Sequence, residues 1–457
     1  MSLASELREM NRHQWSAVTA SFLGWTLDAF DFFLMVFMFK AIAHDFGTDV
    51  KAVAVALTLT LAARPFGAFV FGLFADRFGR RPVLMADVMF YSLVEFASAF
   101  APSLAVLLIL RALFGFAMGG EWGIGASLVM ETVPAKLRGL VSGLLQEGYA
   151  VGYLLAALVF GLFFDRVGWR GMFMIGVLPA LLAVFIRMGV KESPAFEAQR
   201  VAAPKRGLAF LTLVAVVALA AALAPVLAGS FSREALWRWV YLVDAPIGLA
   251  ALFIFRKHWR LALYVIVLMT AFNFFSHGTQ DLYPTFLQVQ HGLGTHATSL
   301  ITVVMNCGAI TGGLFFGALS EKIGRKRAIV IAVLLALPVL WLWAFSATPV
   351  LLGLGAFLMQ LSVQGAWGVV PAHLNELSPP NMRGVFPGYA YQLGNLLASG
   401  NAVLQAGLAE QRHNNYGFAL AVVAGVGAVA IALLTAFGPE RRGADFTLQG
   451  EEGSQKR

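Results

Sequence analysis

Apolar stretches that are each long enough to cross a lipid bilayer dominate this sequence. An α-helix needs about 20 consecutive, mainly apolar residues to span the hydrocarbon core, and twelve such stretches form two groups of six. The first group lies at roughly 16–41, 51–75, 82–101, 103–130, 139–163 and 171–188. The second group lies at roughly 260–289, 294–318, 328–346, 348–374, 384–409 and 416–438. Two further stretches, at 208–229 and 236–255, separate the groups. We therefore expect an all-α integral membrane protein with about 14 transmembrane helices.

Few charged residues accompany these stretches. Only 13% of the 457 residues are charged and 59% are hydrophobic, whereas a soluble domain carries about 25% charged residues. If the N-terminus is cytoplasmic, 23 of the 33 Lys and Arg residues fall in cytoplasmic segments and six fall in outside loops. Such a bias is typical of membrane proteins. We expect both termini to be cytoplasmic and the chain to lie in a plasma membrane, which in a bacterium is the inner membrane.

Several functional classes are disfavoured by composition and motif content. The net charge of +8 is explained by the cytoplasmic loops, so no nucleic-acid partner is expected. The single cysteine, Cys307, excludes a disulfide framework and a cysteine-based metal site. The eight histidines form no HExxH motif, and no Gly-Lys-Ser/Thr phosphate loop is present. An enzyme, a metal site, a cofactor and a nucleotide-driven pump are therefore not expected.

The two groups of six helices carry an internal repeat with a constant offset of 245 residues. Residues 131–139 (ETVPAKLRG) match 376–384 (ELSPPNMRG), and Trp122 pairs with Trp367. Duplicated halves with a substrate site between them are typical of secondary transporters. A channel would need rings of equivalent polar groups, and the charges inside the spans are instead concentrated in one half. A receptor stays possible on these grounds, and it would bind its ligand without net uptake.

A second pair of repeated segments, 72–81 and 317–326, has the pattern G-x-x-x-(D/E)-(R/K)-x-G-(R/K)-(R/K) in the loop after the second helix of each half. It resembles the signature loop of the major facilitator superfamily. An acid at this position can meet a helix N-terminus or an arginine across the interface between the halves. Two copies favour a conformational latch over a solvated basic turn. The residues of this gating motif are Gly72, Asp76, Arg77, Gly79, Arg80, Glu321, Gly324 and Arg325.

The repeat and this resemblance together predict a major facilitator fold with an inserted two-helix hairpin. The expected segments are a cytoplasmic N-terminus at 1–15, an N-terminal half at 16–190, a linker with the hairpin at 191–259, a C-terminal half at 260–438 and a cytoplasmic tail at 439–457.

Ionisable side chains inside predicted spans are costly in lipid and usually face a cavity in the protein. The spans contain Asp28, Asp31, Arg64, Glu95, Arg111, Glu121 and Glu147 in the first half, and mainly His277 and Asp281 in the second. Arg64 lies near the middle of the second span. A guanidinium is permanently charged and can bind a carboxylate through two hydrogen bonds, so Arg64 is expected to hold an anionic substrate. The alternative is a structural ion pair with Asp28 or Asp31.

A polar stripe runs along the first span of the second group, at 260–289, which is the seventh span of the twelve. Asn273, His277 and Asp281 follow at four-residue spacing, which puts them on one helix face together with Gln280. Histidine can carry a proton near neutral pH, and Asp281 one turn away would tune it. The alternative is a neutral histidine that donates to a backbone carbonyl. Tyr149 is a candidate for shaping the cavity, although aromatic residues in membrane helices more often serve packing.

Arg111 precedes two glycines at four-residue spacing, Gly115 and Gly119. This spacing of glycines predicts close packing between helices. Arg111 is expected to pair with an acid such as Asp31 or Glu95, and to belong to a coupling network and not to the substrate contacts.

Residues 273–285 (NFFSHGTQDLYPT) fill every defined position of the pattern N-x-x-(S/T)-H-x-(S/T)-Q-D-x-x-x-T. The segment resembles the signature of the Jen-type lactate and pyruvate permeases, which belong to the sialate:proton symporter family of the major facilitator superfamily. Residues 24–33 (GWTLDAFDFF) and 148–157 (GYAVGYLLAA) also resemble this group. The resemblance covers nearly the whole chain.

This resemblance implies functional roles for particular residues. Asn273, His277 and Asp281 match positions that are important for transport in that family, and Arg64 matches a carboxylate-binding arginine in the second helix. The predicted hairpin at 208–255 is a departure, because Jen-type permeases resemble twelve-helix transporters whereas bacterial sialate transporters of the family have fourteen helices. Sialate therefore stays open as a substrate beside a short monocarboxylate.

Together, the residues and the resemblance predict a proton-coupled symporter for lactate, pyruvate or a similar acid. Substrate contacts are expected from Arg64, Asn273, His277, Gln280 and Tyr149. Proton coupling is expected from Asp28, Asp31, His277, Asp281 and Arg111. The expected partners are a small organic anion, a proton and the lipid bilayer, and the expected oligomeric state is a monomer.

Overall fold

Capping residues and glycines determine where several helices begin. Asn11 Oδ1 accepts hydrogen bonds from the backbone N–H groups of His13 and Gln14, both at 3.0 Å, and Gln14 Oε1 accepts one from Asn11 N at 2.9 Å. This is a complete capping box. Gly79 and Gly324, which are equivalent in the repeat, precede two helices with φ values of 106° and 97°. Glycine adopts this backbone conformation at little cost, so the motif glycines separate one helix from the next.

The computed structural model describes residues 10–48, 50–177, 189–199, 255–413, 415–444 and 446, and the regular elements in these ranges are all helical. The helices of the first half are α1 Arg12–Asp45, α2 Val50–Phe78, α3 Arg80–Ser98, α4 Leu104–Thr132, α5 Arg138–Gln146 and α6 Gly148–Ile175, and α7 Pro194–Gln199 lies at the start of the predicted linker. The helices of the second half are α8 Trp259–Gln280, α9 Tyr283–Thr285, α10 Thr295–Ile323, α11 Arg325–Phe345, α12 Pro349–Trp367, α13 Val370–Leu377, α14 Phe386–Ala398, α15 Asn401–Glu410 and α16 Tyr416–Phe437.

The predicted membrane character is confirmed, while the exact helix count stays a prediction. Within the described ranges, nine helical segments are long and apolar enough to cross a membrane. The predicted hairpin at 208–255 lies outside the described residues except for Phe255, and most of the predicted span at 171–188 also lies outside them.

The structure divides four of the predicted spans into shorter pieces. The fifth span breaks at Glu147 between α5 and α6, and the eleventh breaks between α14 and α15. The tenth is divided into α12 and α13. The seventh ends as α8 at Gln280, and α9 and the π-helical turn Phe286–Gln290 follow it. Apolar composition records the length of a stretch but does not determine the backbone conformation within it, which is why the sequence did not reveal these breaks.

Close packing between α2 and α4 holds the helix that carries Arg64. A Cβ atom added at Gly115 would lie 2.1 Å from Thr60 O, and one added at Gly119 would lie 1.9 Å from Arg64 O. These contacts confirm the close packing that the four-residue spacing predicts.

Glycines also bring the two halves into direct backbone contact on the side of the repeated motif. A Cβ atom added at Gly143 in α5 would lie 2.3 Å from the carbonyl oxygen of Gly313 in α10. One added at Gly72 in α2 would lie 2.6 Å from Cα of Val385 in the segment before α14. No larger residue fits at these distances, so the interface on this side is closed.

Candidate functional site

The first copy of the gating motif connects the two halves. Asp76, near the end of α2, accepts hydrogen bonds from the backbone N–H groups of Gly384 at 2.8 Å and Val385 at 3.1 Å. Arg80 binds both Asp76 and Glu131 at 3.0 Å. Asp76 thus satisfies N–H groups at the start of α14, which have no partner within the helix. The acid therefore meets a helix N-terminus across the interface, which is one of the two contacts that the sequence predicts for it.

In the second copy, the acid belongs to the second half and contacts the first half. Glu321, near the end of α10, accepts a hydrogen bond from the backbone N–H of Gly139 in α5. Arg325 binds Glu321 at 2.9 Å and Glu376 at 3.0 Å. Gly139 and Gly384 are equivalent in the repeat. Each half therefore provides an acid to the helix start of the other half.

The remaining residues of the motif have local roles. Gly72 permits the approach to Val385, and Gly79 and Gly324 form the turns described above. The guanidinium of Arg77 lies 5.4 Å from the ring of Phe78.

A cavity of about 450 Å³ lies between the halves, on the outer side of these motif contacts. Its walls come from α1, α2, α5 and α6 of the first half and from α8, α10, α12 and α14 of the second. At the end away from the motif, the side chains of His277 and Asp281 are 30% and 39% exposed. The cavity therefore opens on the side that the charge distribution predicts to be outside.

The structure brings six of the sequence-predicted site residues together in this cavity. They are Arg64, Tyr149, Asn273, His277, Gln280 and Asp281. Arg64 and Tyr149 come from the first half, Asn273, His277 and Gln280 come from α8, and Asp281 directly follows α8. The predicted substrate contacts therefore face one another across the interface.

Arg64 is the cationic group of the first-half wall. Its side chain is 3% exposed, its Nε lies 3.2 Å from Met118 Sδ, and its guanidinium lies 5.4 Å from the ring of Phe32. Within the described part of the chain, Arg64 forms no ion pair, so the alternative of a structural pair with Asp28 or Asp31 is not found there. The guanidinium thus keeps donors that can bind an anion.

His277 is held by partners at both ring nitrogens. Nδ1 lies 3.2 Å from Asp281 Oδ1, and Nε2 lies 3.0 Å from Asn395 Oδ1 in α14. Only a protonated imidazole can donate from both nitrogens, so this arrangement of oxygen atoms suits the charged form. The sequence predicted the partner Asp281, one turn away, but not Asn395.

Five neutral amide side chains also line the cavity, and no pattern in the sequence marked them. They are Gln146, Asn306, Gln360, Gln364 and Asn395. Gln280 Nε2 donates to Gln360 Oε1 at 3.0 Å, and Gln360 Nε2 donates to Thr279 Oγ1 at 3.1 Å. An uncharged amide inside a span is less costly than a charge, so it does not stand out in the sequence as a functional residue. The repeat could have pointed to one of them, because Gln146 is equivalent to Tyr391 and both line the cavity.

Aromatic residues from both halves meet at the motif side of the cavity. The ring of Tyr391 lies 4.8 Å from that of Trp122 and 5.4 Å from that of Trp367, measured between centroids. Trp122 Nε1 also donates a hydrogen bond to Gln146 Oε1 at 3.2 Å. Of the two equivalent tryptophans of the repeat, Trp367 lines the cavity, and Trp122 packs against Tyr391, which also lines it.

Three predicted proton-coupling residues lie within the first half and do not line the cavity. Asp28 and Asp31 are fully buried, and their carboxyl oxygens have no hydrogen-bond partner among the described residues. Arg111 binds Glu95 at 2.5 Å and Ser98 at 2.7 Å. Of the two acids that the sequence offered as partners for Arg111, the structure selects Glu95.

Two family profiles match this chain. A family profile described as Major Facilitator Superfamily matches residues 21–203, and one described as Sugar (and other) transporter matches residues 259–441. The chain belongs to the major facilitator superfamily. Members of this superfamily are transporters and not enzymes, as the sequence predicts.

Individual superfamily members are similar over most of the chain. The carboxylic acid transporter protein homolog of Saccharomyces cerevisiae is 29% identical over 413 residues, which are 89% of this chain and 63% of the yeast protein. The sialic acid transporter NanX of Escherichia coli is 28% identical over 394 residues, 85% of each chain. The structure of the proton:xylose symporter XylE bound to 6-bromo-6-deoxy-D-glucose superposes with a TM-score of 0.72 at 18% identity, covering 95% of this chain and 98% of XylE. The predicted major facilitator fold is therefore confirmed.

Proposed function

We propose that the protein is a secondary transporter that carries a short monocarboxylate, such as lactate or pyruvate, together with a proton. The observation that carries this proposal is the position of Arg64, a buried guanidinium on the wall of the cavity between the halves with no ion-pair partner among the described residues. A short carboxylic acid is almost fully ionised at neutral pH and needs such a counter-charge at the membrane centre. Relatives named as transporters of carboxylic acid and sialic acid support an acidic substrate.

In this proposal, the substrate bridges the two walls of the cavity. Arg64 binds the carboxylate through two hydrogen bonds, and Tyr149 lies on the same wall. Asn273, His277 and Gln280 on α8 bind the carbonyl or hydroxyl group of the substrate. The two halves then move around this central site, which exposes it alternately to each side of the membrane.

The proton is assigned to His277 and Asp281, which contact each other and are both partly exposed to solvent at the outer end of the cavity. Two oxygen acceptors around the imidazole support this assignment. Asp28 and Asp31 are proposed to exchange protons within the first half, and Arg111 to stabilise their surroundings through Glu95. Protonation near the site and substrate binding then favour each other, because each adds a charge that the other compensates.

A second candidate is a larger organic anion such as sialic acid. The cavity of about 450 Å³ has five amide side chains beyond the predicted contacts, and these could bind the hydroxyl and amide groups of a sugar acid. The relative in Escherichia coli is named a sialic acid transporter. Both candidates use Arg64 in the same way and differ in how much of the amide wall the substrate contacts.

The wider setting follows from the sequence-based expectations. We propose two six-helix halves at 16–190 and 260–438, an inserted hairpin between 191 and 259, and cytoplasmic termini at 1–15 and 439–457. The protein would act as a monomer in a plasma membrane, which is the inner membrane in a bacterium.

Uptake into proteoliposomes tests this function. Labelled lactate, pyruvate and sialic acid are offered under an imposed pH gradient, acidic outside, and again without the gradient. The proposal predicts gradient-stimulated uptake of lactate or pyruvate. Stimulated uptake of sialic acid alone would select the second candidate. If no carboxylate is taken up, or if the uptake rate is the same with and without the pH gradient, the proposal of proton-coupled carboxylate symport is wrong.

A further inference from the structure

The segment that follows α16 crosses the motif side of the molecule and contacts the C-terminal half first. Lys326 Nζ donates a hydrogen bond to Gly438 O at 2.7 Å, and Arg442 donates to Glu321 O. Gly443 N donates to Glu376 Oε1 at 3.2 Å. The segment therefore passes directly over the second copy of the gating motif.

The segment then inserts Phe446 between two arginines from opposite halves. The guanidinium of Arg138 lies 3.6 Å from the ring centroid of Phe446, and that of Arg383 lies 4.1 Å from it. Arg138 Nη1 donates to Ala444 O at 2.7 Å, and Arg383 Nη1 donates to Phe446 O at 3.1 Å. Each arginine thus contacts the segment through both its charge and a hydrogen bond.

These two arginines are equivalent residues of the internal repeat, at the offset of 245. The phenyl ring therefore lies between equivalent positions of the two halves, where a single side chain can contact both at once. Burial lowers the pKa of Arg383 to about 10, which leaves its guanidinium charged at neutral pH. A charged guanidinium over an aromatic face is attractive, and more so where water is excluded.

The ring of Phe446 lies in a buried, mainly apolar pocket. Phe446 is 2% exposed and belongs to a buried cluster that spans the interface. Its apolar members include Val129, Met130, Val133, Leu137 and Val141 of the first half and Ala372 in α13 of the second half. The ring is thus enclosed by apolar groups as well as by the arginines.

We propose that Arg138 and Arg383 form a binding site for the C-terminal segment, and that Phe446 in this site stabilises the conformation that is closed on the motif side. The proposal rests on the alternating access of the proposed function, because the halves must separate on the motif side when the cavity opens there. Phe446 cannot then remain in contact with both arginines. Release of the segment is therefore coupled to opening on the cytoplasmic side.

The accessibility of a buried interface position tests this proposal. Ser142 is fully buried on the motif side, where its Oγ accepts a hydrogen bond from Ala372 N of the other half at 3.1 Å. The exposed native cysteine is first removed by Cys307→Ala, and Ser142→Cys is introduced. The rate of maleimide labelling of the purified protein without substrate is then measured.

Phe446→Ala is expected to raise this labelling rate by about fivefold or more, the effect of losing interactions of this strength. Phe446→Leu, which keeps an apolar side chain in the pocket, is also expected to raise it and remains available if Phe446→Ala does not fold. Phe446→Tyr should label slowly, like the parent. Phe437→Ala is the matched control, because Phe437 is 87% exposed at the end of α16.

Equal labelling rates for the folded Phe446→Leu or Phe446→Ala protein and the parent would overturn the proposal, as would an equal rise for Phe437→Ala. Because the assay contains no substrate, its result does not depend on which acid is carried. If the Phe446 variants label like the parent while carboxylate uptake is intact, only the proposed C-terminal site is wrong. If the variants label faster while the protein takes up no carboxylate, only the proposed function is wrong.

Discussion

Arg64 combines two properties that are rarely found together in a membrane helix. It is buried, and among the described residues it has no acidic partner within ion-pair distance. An arginine at the centre of a membrane helix costs about 3 kcal/mol on insertion scales. The chain bears this cost at a position on the cavity wall, where the guanidinium can bind a substrate carboxylate. The neighbouring Met118 and Phe32 fix the side chain without neutralising its charge.

Replacement of Arg64 by lysine tests this role at the residue scale. Lysine keeps the charge but loses the planar pair of donors, and a charge-assisted hydrogen bond contributes about 1.5–3 kcal/mol. We expect Arg64→Lys to weaken substrate binding by about tenfold to a hundredfold, measured by calorimetry or by uptake at several concentrations. Arg412→Lys, at an exposed position, is the matched control. Normal binding by Arg64→Lys would assign Arg64 a structural role.

His277 belongs to the proton side of the proposed cycle. Its ring nitrogens contact Asp281 and Asn395, and glutamine cannot carry the proton that an imidazole can. We expect His277→Gln to abolish the stimulation of uptake by a pH gradient while exchange of labelled for unlabelled substrate continues. The control is His258→Gln at an exposed position before α8. Retained gradient stimulation in His277→Gln would place the proton elsewhere.

At the scale of elements, α4 supports α2 directly beneath the proposed site. A side chain at Gly119 would collide with the carbonyl oxygen of Arg64. The spacing of the glycines in α4 was sufficient to predict this contact, because close helix approach needs residues without bulky side chains. The position of Arg64 thus depends on a residue that does not touch the cavity.

Gly119→Ala is expected to destabilise the protein by about 1–3 kcal/mol, the usual cost of forcing extra atoms into a packed interface. The melting temperature should fall, and substrate affinity should fall with it because the backbone of Arg64 must shift. Gly407→Ala is the control, since nothing lies within 4 Å of the added Cβ and alanine favours a helix over glycine. The same melting temperature for both variants would contradict tight packing at Gly119.

The sequence predicted elements better than it predicted their interruptions. Span positions followed from apolar length, and the polar stripe on α8 followed from its four-residue spacing. The division of the tenth span between Trp367 and Val370 was not predicted, because the residues at this point are apolar or glycine and apolar length gives no information on the backbone conformation. Gln360 and Asn395 were missed for a related reason, since each matters through its contacts with α8 and carries no charge that marks it in the sequence.

At the scale of the whole molecule, the repeat explains both the symmetry and the asymmetry of the protein. The acids Asp76 and Glu321 make equivalent contacts on the motif side, so this interface is nearly symmetric. The cavity is not symmetric, because Arg64 is equivalent to Ala309. In the proposed function, these duplicated contacts close one side of a substrate site that is itself asymmetric. The repeat offset revealed this arrangement in the sequence, whereas the bridging position of Phe446 required the structure.

The central claim is that a carboxylate and a proton move together through the cavity that contains Arg64. The most direct measurement follows the pH inside proteoliposomes with a trapped dye while lactate or pyruvate is added outside, without an imposed gradient. Protein-free vesicles and the Arg64→Lys protein record the passive entry of the undissociated acid. The account predicts that the unmodified protein acidifies the interior faster than both controls, in step with uptake of the labelled acid. Labelled uptake without acidification beyond that of the controls would contradict it.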